Sequence, residues 1–218
     1  MDQTLRVSEI FHSLQGESSR AGRPCAFVRL AGCNLDCAWC DTGYAREDGA
    51  GRELPLALIV EALRAFQTGL AEITGGEPLL QAATPELAAR LAGEGYEVLV
   101  ETNGSLDISR IPYPAARIMD LKTPSSGMCA RNRLENLAYL RRGDEVKFVI
   151  ADREDYEWTR AMLRDRSYPA ALVTTLLSPA AKRLAAAELA DWMLRDKLNA
   201  RLNLQLHRLL WPDRDRGA

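Results

Sequence analysis

The chain alternates short apolar runs with stretches whose apolar residues recur at helical spacing. Residues 5–11 alternate weakly and predict a strand. Residues 25–31 (CAFVRLA), aromatic and β-branched at the centre, predict a second. In residues 55–66, Leu58, Ile59, Ala62, Leu63 and Phe66 fall on one side of a helix. Residues 71–74 form a short strand pattern ended by Gly75-Gly76. Thr84-Pro85 reads as an N-cap with proline at the first helical position, and its helix stops near Gly93 or Gly95. Strands follow at 96–101, 116–121, 145–150 and 171–175, with helices at 131–140 and 154–164. Ser178-Pro179 repeats the cap-then-proline pattern and predicts a helix to about Lys197. Residues 202–206 predict a last strand, with a turn through Trp211.

Strand and helix alternating along a chain imply a parallel sheet with helical crossovers. A complete eight-fold barrel takes about 250 residues, and this chain has 218. The expected fold is therefore α/β, a partial, open parallel β/α barrel, built as a single domain over 1–218. Four unusual loops, 33–40, 75–78, 102–104 and 122–127, each follow a predicted strand. The C-terminal ends of strands are where such sheets place active sites.

Composition adds exclusions. A net charge of −2 argues against a nucleic-acid-binding face. No window approaches the roughly 20 apolar residues that span a bilayer. The N-terminus lacks the basic and apolar regions of a signal peptide. A cytoplasmic setting, with reduced thiols, is the expectation. Five cysteines in that setting point to a metal or to catalysis rather than to disulfides.

Three of the five stand together in CNLDCAWCDT: Cys33, Cys37 and Cys40, spaced C-x3-C-x2-C. Three thiolates on one loop can hold three irons of a 4Fe–4S cluster and leave the fourth iron open. Zinc is the alternative. It favours four ligands, commonly two C-x2-C-type pairs; no second pair exists, though His12 or His207 could complete a set. Unliganded buried thiols are a further reading, poorly matched by the neighbouring Asn34, Asp36 and Asp41. Downstream, Gly75-Gly76-Glu77-Pro78 lets backbone approach a ligand closely, and Glu77 can accept from an ammonium.

The C-x3-C-x2-C spacing, with Trp39 before the last cysteine, resembles the signature of the radical S-adenosylmethionine (SAM) superfamily. That resemblance implies the partial barrel reached above, a 4Fe–4S cluster, and SAM bound at the open iron by its amino and carboxylate groups. It also implies reductive cleavage of SAM to a 5′-deoxyadenosyl radical. A wider set of elements runs along nearly the whole chain: Leu14-Gln15-Gly16-Glu17, Phe27 through Cys33, Trp39 through Thr42, Glu101 through Gly104, Lys122 through Gly127, and Gln205-Leu206-His207 ahead of Trp211. This set resembles the 7-carboxy-7-deazaguanine synthase family of queuosine and deazapurine biosynthesis. The resemblance implies a lyase that contracts the ring of 6-carboxy-5,6,7,8-tetrahydropterin with loss of ammonia, assisted by Mg2+. It further implies a homodimer and an electron donor such as flavodoxin or ferredoxin.

By the same resemblance, Cys33, Cys37 and Cys40 ligate the cluster and Thr42 the magnesium. Trp39, Asp41, Gly76, Glu77, Asn103 and Ser125 face SAM. Leu14, Gln15, Gly16, Glu17, Arg29, Thr74 and His207 face the substrate, with the C-terminal segment 201–218 contributing His207. Arg29 is a charge inside an apolar strand and can bind a carboxylate bidentately. Ser18 departs from the family pattern, which often has glycine there. Cys25 and Cys129 match no cluster position, and Lys122 and Lys147 have no assigned role. Two rival functions remain at this level. A glycyl-radical activating enzyme shares the cysteine spacing but not LQGE or LHxxxW. A zinc-stabilised binding protein would have no catalysis.

Overall fold

The computed structural model describes residues 3–214 and 216–217. Its strands are β1 (Thr4–Leu14), β2 (Pro24–Leu30), β3 (Arg52–Pro55), β4 (Leu70–Gly75), β5 (Glu97–Thr102), β6 (Ala116–Asp120), β7 (Glu145–Ile150), β8 (Thr174–Pro179) and β9 (Arg201–Leu202). Among the described residues they form one sheet in the order β3-β1-β2-β4-β5-β6-β7-β8-β9. From β2 to β9 every pairing is parallel; β1 runs antiparallel to β2 and β3. The sheet has two free edges, β3 and β9, so the barrel is open.

The helices are α1 (Leu56–Arg64), α2 (Thr84–Gly93), α3 (Arg153–Arg164), α4 (Ala186–Arg195) and α5 (Leu206–Leu210). α1 to α4 cover the outer face of the sheet. Their apolar stripes (Ile59 and Leu63, Leu87 and Leu91, Tyr156, Leu189 and Trp192) bury against Val28, Ile73, Val100, Phe148 and Leu177 in one core. A second, smaller apolar cluster lies on the inner face: Phe11, Cys25, Phe27, Leu70, Leu99 and Ile118. Cys25 is thus a small buried hydrophobe. Beyond this plug the inner face turns polar, because Arg29, Glu72, Thr74, Glu101, Asp120 and Lys147 occupy the inward positions of successive strands.

Several segments differ from their sequence patterns. No helix joins β1 to β2; the nine intervening residues form the loop of an antiparallel hairpin. β3, unsignalled by composition, pairs residues 52–55 with the start of β1. Residues 134–139 form a 3-10 turn rather than an α-helix. Asn136 there bonds the carbonyls of Gly104 (2.9 Å) and Leu106 (2.7 Å), so tertiary side-chain bonds override helical propensity. Ser178-Pro179 ends β8 and starts no helix; Leu176 and Leu177 are fully buried between neighbouring strands, and α4 begins only at Ala186. Proline is tolerated at that strand end, where its missing N–H breaks little of the ladder. β9 covers only Arg201–Leu202, and Leu206 already belongs to α5.

α4 ends at a left-handed residue. Lys197 has φ 51°, and the Leu198 amide donates to the Met193 carbonyl at 3.0 Å, the six-to-one bond of a Schellman cap. Lysine is strained in that region and glycine is not. Lys197→Gly, at an exposed side chain, should raise stability by about 0.5–1 kcal/mol, read as a higher urea midpoint with an unchanged m-value.

Candidate active site

The loop 33–42 leaves β2 at the C-terminal end of the parallel strands, and backbone bonds hold it from two sides. The Cys33 amide donates to the Arg46 carbonyl (3.0 Å), and the Ala38 amide to the Ser126 carbonyl beyond β6 (3.1 Å). Arg46 pairs with Asp36 at 2.6 Å. Cys33, Cys37 and Cys40 all line one cavity of about 210 Å³. Among the described residues no three Cys, His, Asp or Glu side chains gather around a single ion-sized point. A cubane offers each thiolate its own iron, so three thiols facing one cavity fit such a cluster without meeting at one centre.

The glycine pair after β4 packs against this loop. The Gly76 amide donates to Leu30 (3.1 Å) and the Glu77 amide to Gly32 (2.8 Å). A Cβ built on Gly76 would run into the Gly32 carbonyl oxygen and Cys33. Gly76 is therefore required by the close approach of two backbones beside Cys33. Asn103 donates to Asn34 Oδ1 at 3.0 Å and to Cys33 Sγ at 3.8 Å, tying the end of β5 to the same loop.

Glu77 and Ser125 do not line the cavity. Glu77 is fully buried, and its carboxylate accepts from the Leu79 amide (2.9 Å), the Asn103 amide (2.7 Å) and the Thr102 hydroxyl (2.9 Å). It staples the loops after β4 and β5. Ser125 donates its hydroxyl to Asp152 at 2.6 Å and its amide to Asp155 at 2.8 Å, which anchors the start of α3.

At the other wall, Lys147 of β7 reaches Glu17 at 3.0 Å and makes a shorter pair with Glu101. Burial opposes charge on Lys147, but these two carboxylates hold its pKa well above the usual value. Burial likewise works to raise Glu101; the Lys147 ammonium outweighs it and holds that carboxyl down, at about 2. Thr74 donates to Glu101 at 3.1 Å. Gln15 donates to Glu72, and its own Oε1 accepts from the Glu17 amide at 2.9 Å. Burial, followed by the nearby Glu101, pushes the Glu72 pKa well up, against the Gln15 hydrogen bond and the more distant Lys147.

The C-terminal segment completes the cavity. Gln205 donates to Glu17 (2.9 Å) and Asp41 (3.0 Å), and Asn203 donates to Glu17 (3.3 Å). The Leu206 amide donates to the Gly16 carbonyl (2.8 Å), and His207 packs so closely on Gly16 that a Cβ there would collide with its ring. Burial lowers the His207 pKa, against the pull of Glu17 and Asp41.

Leu14, Gln15, Gly16, Glu17, Arg29, Trp39, Asp41, Thr42, Thr74, Gly76, Asn103 and His207 thus come together with the three cysteines. Glu72, Glu101, Asp120, Lys122, Lys147 and Gln205 share the cavity and were not assigned to it from the sequence. Their signal was present: Glu72, Glu101 and Lys147 are charges in largely apolar strands. Lys122 pairs with Asp120 at 2.7 Å.

The family model described as the radical SAM superfamily matches residues 28–120. A 7-carboxy-7-deazaguanine synthase of Koribacter versatilis is 40% identical over 227 residues, covering 98% of this chain and 100% of the relative. One from Chlorobaculum tepidum is also 40% identical, over 98% of this chain and 97% of its own length. The chain belongs to the 7-carboxy-7-deazaguanine synthase family. Crystalline QueE from Escherichia coli shares the fold, with a TM-score of 0.69 at 20% identity over 94% of this chain and 95% of that one. Family membership makes the protein a radical SAM enzyme, and with it implies a 4Fe–4S cluster and SAM. The zinc-binding and activating-enzyme alternatives fall with it.

Cys33→Ala, Cys37→Ala or Cys40→Ala should each abolish cluster assembly, seen as lost iron and lost visible absorbance after anaerobic reconstitution. Gly76→Ala keeps all three cysteines, yet should lower both iron content and melting temperature, because its Cβ displaces the backbone that carries Cys33.

Proposed function

We propose that this chain converts 6-carboxy-5,6,7,8-tetrahydropterin to 7-carboxy-7-deazaguanine with loss of ammonia, inside the cavity between the cysteine loop and the polar inner face of the sheet. The observation that carries the reading is the continuity of that cavity. Three cysteines and a ring of polar groups suited to a heterocycle with a carboxylate share one cavity. When bound, the cluster and SAM supply the radical that takes a hydrogen from the substrate.

The protein's own groups bind and orient. Arg29 presents its guanidinium to the substrate carboxylate. Gln15 and the Gly16 backbone meet the pterin edge, with Glu17, Thr74 and His207 around it. Gln15 is held in one orientation by Glu72 and the Glu17 amide, so its amide is set before the substrate arrives. Thr42 sits 3.9 Å from Cys40 Sγ, beside Asp41. The Thr42 hydroxyl is a hard oxygen donor, the kind magnesium takes when it keeps waters and shares substrate oxygens. Trp39, Asp41, Gly76 and Asn103 line the SAM side.

Three further parts complete the reading. The electron donor is a flavodoxin- or ferredoxin-type protein, for which exposed Cys40 gives an approach. The assembly is a homodimer, for which Leu202, Leu204, Leu209 and Leu210 offer exposed apolar surface. The setting is the cytoplasm. Among the described residues no helix is long and apolar enough to cross a membrane.

Reconstituted protein, incubated without air with SAM, reductant, magnesium and the carboxytetrahydropterin, should yield carboxydeazaguanine by mass spectrometry. Deoxyadenosine without that product would overturn the substrate assignment. Thr42→Ala should flatten the rate's dependence on magnesium concentration; an unaltered metal response would remove Thr42 from the metal site.

A further inference from the structure

β1 begins with Leu5 and Val7 packed in the outer core, yet its Phe11 packs in the inner apolar cluster. In a regular strand residues two apart share a face, so Leu5, Val7, Glu9 and Phe11 would all point one way. The register slips between Val7 and Glu9: Val7 pairs with Leu30, and Glu9 pairs with Arg29. Ser8 is the extra residue of a β-bulge, and such an insertion re-aims every side chain beyond it. The bulge therefore puts Glu9 on the cavity side, directly across from Arg29.

A fixed guanidinium results. Glu9 Oε1 accepts from Arg29 Nε at 2.8 Å and from the Tyr44 hydroxyl at 2.6 Å. The Arg29 guanidinium carbon lies 5.5 Å from the Phe11 ring centroid, and Phe11 stacks on Phe27 with centroids 4.7 Å apart. Among the described residues the two terminal amino groups of Arg29 have no protein hydrogen-bond partner, although the side chain is only 13% exposed and lines the cavity.

We propose that Glu9 and Tyr44 are positioning residues for substrate recognition: they hold Arg29 by its Nε so that its two terminal amino groups face the carboxylate of the incoming pterin. The proposal rests on the reading of Arg29 as the carboxylate's partner. An arginine side chain carries rotamer entropy that binding must otherwise remove. A guanidinium already held at Nε and laid on an aromatic floor loses little more when a carboxylate takes its free edge bidentately. Glu9 also compensates the cation while the cavity is empty, since an unpaired buried charge is strongly unfavourable. Tyr44 fixes the oxygen that does the holding.

The test is anaerobic titration calorimetry on cluster-loaded protein with SAM, using 6-carboxytetrahydropterin and the tetrahydropterin that lacks the carboxyl. The readout is the ratio of the two affinities. Arg29→Ala should remove the preference for the carboxylated ligand. Glu9→Ala should lower it about tenfold, equivalent to ~1.4 kcal/mol, with affinity for the other pterin unchanged. Glu9→Gln should keep or exceed the wild-type ratio, because its Oε1 can still accept from Arg29 and Tyr44 while a competing negative charge is gone. Tyr44→Phe, a milder change should Glu9→Ala fail to fold, should lower the ratio roughly fivefold, the loss of one hydrogen bond of ~1 kcal/mol. Equal weakening of both ligands by Glu9→Ala would mean a structural ion pair only and would overturn the proposal. An unchanged ratio in Glu9→Ala and Tyr44→Phe, with Arg29→Ala collapsed, would overturn it while leaving the Arg29 reading intact. An unchanged ratio in Arg29→Ala would sink both.

Discussion

Lys147 is an ammonium buried in the middle of a sheet, and most of the cavity hangs on how it is compensated. Taking such a charge out of water is costly by several kcal/mol unless partners meet it closely. Its partners come from distant parts of the chain: Glu101 from β5 and Glu17 from the loop between β1 and β2. Glu17 in turn accepts from Asn203 and Gln205 near the C-terminus. One cation thus draws together the centre of the sheet, the N-terminal hairpin loop and the last segment of the chain. Because a buried pair loses about 3–5 kcal/mol when one member is removed, this arrangement strongly disfavours alternatives that leave Lys147 alone.

The same charge makes a partial barrel useful. A closed barrel fills its interior with layers of branched side chains. Here the inner face carries an apolar plug of six residues and then switches to Arg29, Glu72, Thr74, Glu101, Asp120 and Lys147. Polar groups inside a fold must be paired: Glu101 takes both Thr74 and Lys147, while Arg29, Glu72 and Asp120 find Glu9, Gln15 and Lys122. The C-terminal segment after β9 closes back onto the loop between β1 and β2. The Gly16 carbonyl takes the Leu206 amide, and His207 lies against Gly16. The result is a partly open chamber of mixed polar and apolar lining, with the cysteine loop at its rim.

Two carboxylates from one hairpin illustrate how the surroundings divide their tasks. Glu17 faces an ammonium and two amides and so links three segments. Glu9 faces a guanidinium and a phenol and so aims a single side chain. A one-residue bulge separates these outcomes from a strand whose Glu9 would have pointed into the outer apolar core.

Much of this was legible in the residues alone. Cys33, Cys37 and Cys40 are close in the fold because they are close in the chain, so their spacing announces their chemistry. Gly75-Gly76, at the end of a strand, is equally local. Helix α1 follows from apolar periodicity, which depends only on residues three and four apart, and α2 from the Thr84-Pro85 pair at its start and the glycines at its end. The structure alone decided which way charged strand residues face. Lys147 meets Glu17 across 130 positions of sequence, and Gln205 meets Asp41 across 164. Facing depends on strand register, and register depends on the whole sheet. For the same reason Glu77 and Ser125, in the right motifs, turned out to bond protein rather than line the cavity, and Ser178-Pro179 closed a strand where its pattern announced a helix. Local spacing determined the chemistry this protein carries; the long-range register of the sheet decided which side chains surround it, because a strand can offer either face and only its neighbours choose.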